Sequence, residues 1–136
     1  MNTKSFAITV VVLYVLQQVL GYLMHQVWLT PVYDELAAVF RPRAEMDQML
    51  WIFFATSAVW VLVFTYIFVR GREGKGIMEG VRYGALMGLF YNLTIAYDSY
   101  VIYPITSSLA LKWFLGGIAI SIILGVVASL VYKPSN

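Results

Sequence analysis

His25, Asp98 and a few buried-looking amides are the residues of this chain with chemistry to offer. His25 is the only histidine and there is no cysteine, so disulfides, thiol catalysis and thiolate metal sites are excluded. A conventional zinc centre within one chain is excluded with them. No Ser–His–Asp arrangement on a nucleophile elbow and no phosphate-cradling glycine loop is present, and no enzyme activity is expected. Haem ligated by two imidazoles would need His25 from each of two copies, and no cofactor is assigned. Gln17, Gln18, His25, Tyr91, Asn92 and Asp98 interrupt otherwise apolar runs. A polar group in lipid is costly, so each marks a candidate site. Gln18 and His25 are seven residues apart, nearly two helical turns, and so share a face; Tyr91 and Asp98 have the same relation. Imidazole titrates near neutral pH, and beside Asp98 it would be a natural proton-linked group. The expected site is an outward-opening pocket lined by His25, Asp98, Gln18 and Tyr91, with Asn92 and Trp28 at its edge. Each residue also has a plainer use: His25 in packing, Asp98 at a helix end, the amides as interhelical hydrogen-bond donors and acceptors.

The elements that would position these groups are membrane helices. Of 136 residues, 61% are hydrophobic and 12% charged, against about 25% charged in a soluble domain. A water-soluble fold of this size could not hide so much apolar surface. A span needs about 20 mainly apolar residues. Four segments qualify, at about 6–29, 49–69, 77–97 and 113–132, which predicts an all-α integral membrane protein built as one four-transmembrane-helix bundle. The third is the most polar, with Glu79 and Arg82 in its opening turns. The uncharged run from Ser5 to Tyr33 is too long for a signal-peptide core and is expected to stay as the first span.

Lys and Arg collect in cytoplasmic loops. Lys4, Arg70, Arg72, Lys75, Arg82 and Lys133 fall on one side, Arg41, Arg43 and Lys112 on the other. Both termini are therefore expected in the cytoplasm. The net charge of +2 is too small to suggest nucleic acid. Taking helix midpoints as the bilayer centre, Asn92, His25 and Asp98 lie roughly 7, 11 and 16 Å towards the outside. In the outer loop, Thr30 can cap, Pro31 suits a first helical position, and Val32, Leu36, Val39 and Phe40 recur at helical spacing before Pro42. This predicts a short amphipathic helix on the outer surface. Pro104 ends the third helix near or before Tyr103, and the apolar stretch 98–108 is expected to pack on the outer mouth.

Small residues let helices approach in lipid. Gly76, Gly80, Gly84 and Gly88 recur every fourth residue on the third span, as do Gly117, Ser121, Gly125 and Ser129 on the fourth. The expectation is a glycine zipper joining the two through Gly80, Gly84 and Gly88 against Gly117, Ser121 and Gly125. The same motif can instead join two chains as a homo-oligomer.

The segments Gly21-Tyr-Leu-Met-His-Gln-Val-Trp-Leu-Thr-Pro-Val-Tyr33, Glu79-Gly-Val-Arg-Tyr-Gly-Ala-Leu-Met-Gly-Leu89 and Leu130-Val-Tyr-Lys-Pro134 resemble small four-helix bacterial inner-membrane proteins that are uncharacterised. Some such proteins read Asp-Leu-Thr-Asn where this chain has Asp98-Ser-Tyr. The resemblance implies a fold and a location in the bacterial inner (plasma) membrane, and no activity. The expected function is binding or transport of a small, lipophilic molecule. The alternative is an accessory or assembly subunit of a membrane complex; membrane lipids or another membrane protein are the partners expected in either case.

Overall fold

The computed structural model describes residues 1–135, and these are all-helical, with no strand among them. Four long helices carry the structure: α1 (Thr3–Tyr22), continued by a π-helical turn over Leu23–Trp28, then α4 (Leu50–Gly71), α5 (Ile77–Ile102) and α6 (Ser107–Val131). Two short helices, α2 (Thr30–Glu35) and α3 (Arg43–Asp47), fill the connection between α1 and α4. Thr3–Trp28, Leu50–Gly71 and Ser107–Val131 are each long and apolar enough to cross a membrane. The longest helix, α5, is not among those three, because Glu79, Arg82, Asn92 and Asp98 lower its hydropathy.

The ends follow from local chemistry. Asn2 Oδ1 accepts the Ser5 backbone N–H at 3.1 Å and caps α1, and Thr106 Oγ1 accepts that of Leu109 at 3.1 Å and caps α6. Glu79 accepts the backbone N–H groups of Glu73 and Lys75, closing the glycine-broken turn before α5. Gly74 and Gly76 have φ of 78° and 72°, values that only glycine adopts without strain.

Helix α5 ends at Ile102 with Tyr103 extended, as Pro104 requires. Two other boundaries differ from expectation. Helix α6 starts at Ser107, so most of 98–108 is helix and the connection is only Tyr103–Thr106. Thr30 does not cap α2. It is the first helical residue, and its hydroxyl donates back to the Gln26 carbonyl at 2.7 Å.

Helix α1 packs on α4 and α6, and α6 takes α5 along its other side in the closest contact of the molecule. One apolar cluster gathers Leu13, Val61, Phe64, Phe68, Leu124 and Ala128. A second, at the other end, holds Met24, Leu29, Ile105, Leu109 and Ala110, and Val32, Tyr33, Leu36, Val39 and Phe40 pack over it. The apolar positions anticipated for an outer helix thus fold down as a cover, although regular helix stops at Glu35.

Between α5 and α6 the contact is backbone to backbone. A Cβ on Gly80 would sit 2.7 Å from the Gly125 carbonyl carbon, one on Gly84 2.5 Å from the Ile122 Cα, and one on Gly88 2.9 Å from the Ile118 Cα. A Cβ on Gly117 would collide with the Asn92 amide, and one on Gly125 with the Gly80 carbonyl oxygen. Ser121 is buried between Gly84 and Gly88.

Candidate functional site

The most unusual backbone lies beside the only histidine. Leu29 N–H bonds the Met24 carbonyl at 2.9 Å, five residues back, where an α-helix would reach four. In an α-helix Met24 and Leu29 would lie about 1.4 turns apart, on nearly opposite faces. The wider turn brings both into the same apolar cluster. Gly116 of α6 makes room for this: a Cβ there would meet Met24 Cε at 2.7 Å and Trp28 Cζ3 at 3.4 Å.

The turn leaves His25 exposed and aims its ring at the cover. Its Nδ1 lies 2.7 Å from the Tyr33 hydroxyl, and the two rings stack at 8° between planes. Trp113 Nε1 donates to the same hydroxyl at 2.8 Å. An indole N–H only donates, so the Tyr33 oxygen accepts from Trp113, and its own proton is available to Nδ1 of a neutral His25, which then carries its proton on Nε2. Phe40 closes the group, edge-on to Tyr33 at 5.4 Å and 6.4 Å from Trp113. Burial pushes the Tyr33 phenol above its usual pKa, with the Trp113 hydrogen bond acting in the opposite direction. The result is an exposed imidazole whose orientation is fixed from behind by Tyr33 and Trp113, with Trp28 exposed three residues away.

The other expected residues are distributed differently. Gln18 and His25, seven residues apart, make no hydrogen bond with each other among the described residues. Gln18 Nε2 is buried without a hydrogen-bond partner among the described residues, as is Gln17 Oε1. Asn92 lies in the α5–α6 contact, its Nδ2 donating to the Gly88 carbonyl at 2.9 Å and its amide against Gly117. Tyr91 packs on Trp60 of α4, centroids 5.9 Å apart. Asp98 is exposed and makes no hydrogen bond or ion pair among the described residues. Among the described residues no hydrogen bond or ring contact joins Asp98, Tyr91 or Asn92 to His25.

Tyr33, Trp113 and Phe40 did not figure in the expected site. Tyr33 follows His25 by eight residues, and the bend at Leu29 between the π turn and α2 makes them neighbours. No group of three or more His, Asp or Glu side chains able to hold a metal occurs among the described residues. The chain matches no protein-family model, no curated protein and no solved structure.

Proposed function

We propose that this chain is a four-span protein of the bacterial inner membrane, with both termini in the cytoplasm, that binds a small lipophilic molecule with a hydrogen-bonding head at its outer end. The reading of α5 as a fourth span is supported by its contact with α6. The two helices run side by side from Gly80–Gly125 to Asn92–Gly117, which supports reading α5 as sharing the depth of α6. The Lys and Arg distribution supports the orientation.

The observation that carries the binding reading is His25 on its π turn, braced by Tyr33 and Trp113 and left exposed. A braced imidazole offers one directed N–H at Nε2 among aromatic surfaces, which suits a polar head on an apolar body. Asp98, Tyr91 and Asn92 lie outside this narrower form of the site.

The test uses a short-chain quinone as probe on the purified full chain in detergent. Trp28 and Trp113 flank His25, so binding should quench tryptophan fluorescence to saturation. His25→Ala should weaken the effect at least tenfold, and Asp98→Asn should leave it within twofold. Equal quenching of wild type and His25→Ala would remove the site. Extracts of the purified protein that hold no lipophile retained by wild type over His25→Ala would point to an accessory role instead.

A further inference from the structure

The end of the molecule opposite His25 carries a second feature. A recess of about 320 Å³ opens where α4 stops, lined by Val69, Arg70, Arg72 and Tyr132. A neighbouring recess of about 300 Å³ is lined by Asn2, Lys4, Ser5 and Lys133. Among the described residues no carboxylate side chain lines either one. Arg70, in the last turn of α4, would be expected there simply to complement the helix dipole. Arg72, the C-cap residue, has extended backbone, and its guanidinium sits over the Tyr132 ring, 5.9 Å from the centroid.

The acids at this end are already engaged. Glu73 pairs with Lys75, whose hydrogen bond holds the carboxyl below the usual carboxylate range. Glu79 accepts backbone N–H groups of the turn. Among the described residues neither Arg70 nor Arg72 makes an ion pair. The recess is held in shape by Tyr132, which is buried and whose hydroxyl accepts the Asn2 backbone N–H at 3.2 Å, and by Ser5, whose Oγ accepts that of Lys133 at 2.7 Å.

We infer that the recess between Arg70 and Arg72 binds a phosphate group. Guanidinium forks match phosphate oxygens, and basic recesses at helix ends are where anionic headgroups are held. The volume is about ten times the ~30 Å³ share of a liquid water molecule, which leaves room for a headgroup as well as for a free ion. The phosphate can come from an anionic phospholipid or from inorganic phosphate. This inference rests on the membrane reading only for the lipid source and is independent of the His25 site.

Binding of dihexanoyl-phosphatidylglycerol, dihexanoyl-phosphatidylcholine and inorganic phosphate to the purified full chain in detergent tests it by calorimetry. The phosphatidylglycerol should bind at least tenfold tighter than the phosphatidylcholine. Arg70→Gln with Arg72→Gln should abolish that preference, and Arg70→Lys with Arg72→Lys, which keeps charge but loses the fork, should retain part of it. Arg41→Gln with Arg43→Gln, at the other end, should leave it intact. Saturable binding of inorganic phosphate with the same variant sensitivity would assign the site to the free ion. Equal binding of the two lipids together with no binding of phosphate would overturn the inference, as would an equal loss in the Arg41/Arg43 variant.

Discussion

Where α5 meets α6, a Cβ on Gly84 would sit 2.5 Å from a backbone Cα. Where α1 meets α4, whole side chains intervene, in a cluster holding Leu13, Val61, Phe64 and Phe68. Tyr83 adds a peg to that second region, its ring against Phe64 and Phe68 and its hydroxyl donating to the Phe64 carbonyl. The difference lies in what each contact can absorb. Side chains have rotamers and can shift to accommodate a change, whereas two backbones in contact have nothing to move but the helices themselves. In lipid this matters more than in water, because apolar transfer no longer drives helices together and close packing is what remains.

The largest expected effect follows from that rigidity. Gly84→Leu should cost about 3 kcal/mol or more, since overpacking here displaces backbone and not a rotamer. Reversible unfolding in mixed detergent would measure it. The matched control is Gly21→Ala on α1, where nothing lies within 4 Å of the added carbon; that change should stay within about 0.5 kcal/mol. A tolerated Gly84→Leu would remove the distinction between the two contacts.

Next comes Phe64→Ala, which empties the centre of the side-chain region, where Phe64 is 1% exposed. In a soluble core the loss would be about 3–5 kcal/mol, but lipid removes much of the transfer term and a cost of about 2 kcal/mol is expected. The same unfolding assay reads it, and a loss larger than that of Gly84→Leu would reverse the ranking of the two regions.

The smallest effect is at the cover. Tyr33→Phe keeps the ring and its packing but removes the hydroxyl shared by Trp113 and His25, at about 1 kcal/mol. It should also change the alkaline limb of stability. Tyr33 has its folded pKa raised above the ordinary 10.0, so the neutral phenol favours the fold. That contribution is fully present below pH 10 and is lost as pH rises through the folded value. Melting curves of wild type should therefore fall more steeply above pH 10 than those of Tyr33→Phe.

The helices were legible because their signals are redundant. Long apolar runs and the glycine-broken turn before α5 each point to an element that the structure contains. Gly80, Gly84 and Gly88 face Gly125, Ser121 and Ile118, whereas Gly117, the third partner expected from the period, meets the Asn92 amide instead. The surroundings of His25 were not legible, because they depend on one extra residue in a turn. A π turn has no composition signature in Leu23–Trp28, and it changes which residues share a face. Asn92 shows the opposite limit. Its type marked it as polar in an apolar run, but whether it faced a cavity or another backbone depended on Gly117, distant in sequence.

The α5–α6 contact also constrains the order in which the protein can be made. Its pairs run outward from the four-residue connection Tyr103–Thr106, from Tyr97–Phe114 through Asn92–Gly117 to Gly80–Gly125. Loop closure is least costly for the near pair, so the two helices join at the connection and close towards the far end. A nascent chain that has not yet reached Gly117 has no partner for any of those glycines. Until then α5 is a glycine-rich helix with little intrinsic preference to stay helical in water, so its stability in the chain depends on α6 being made.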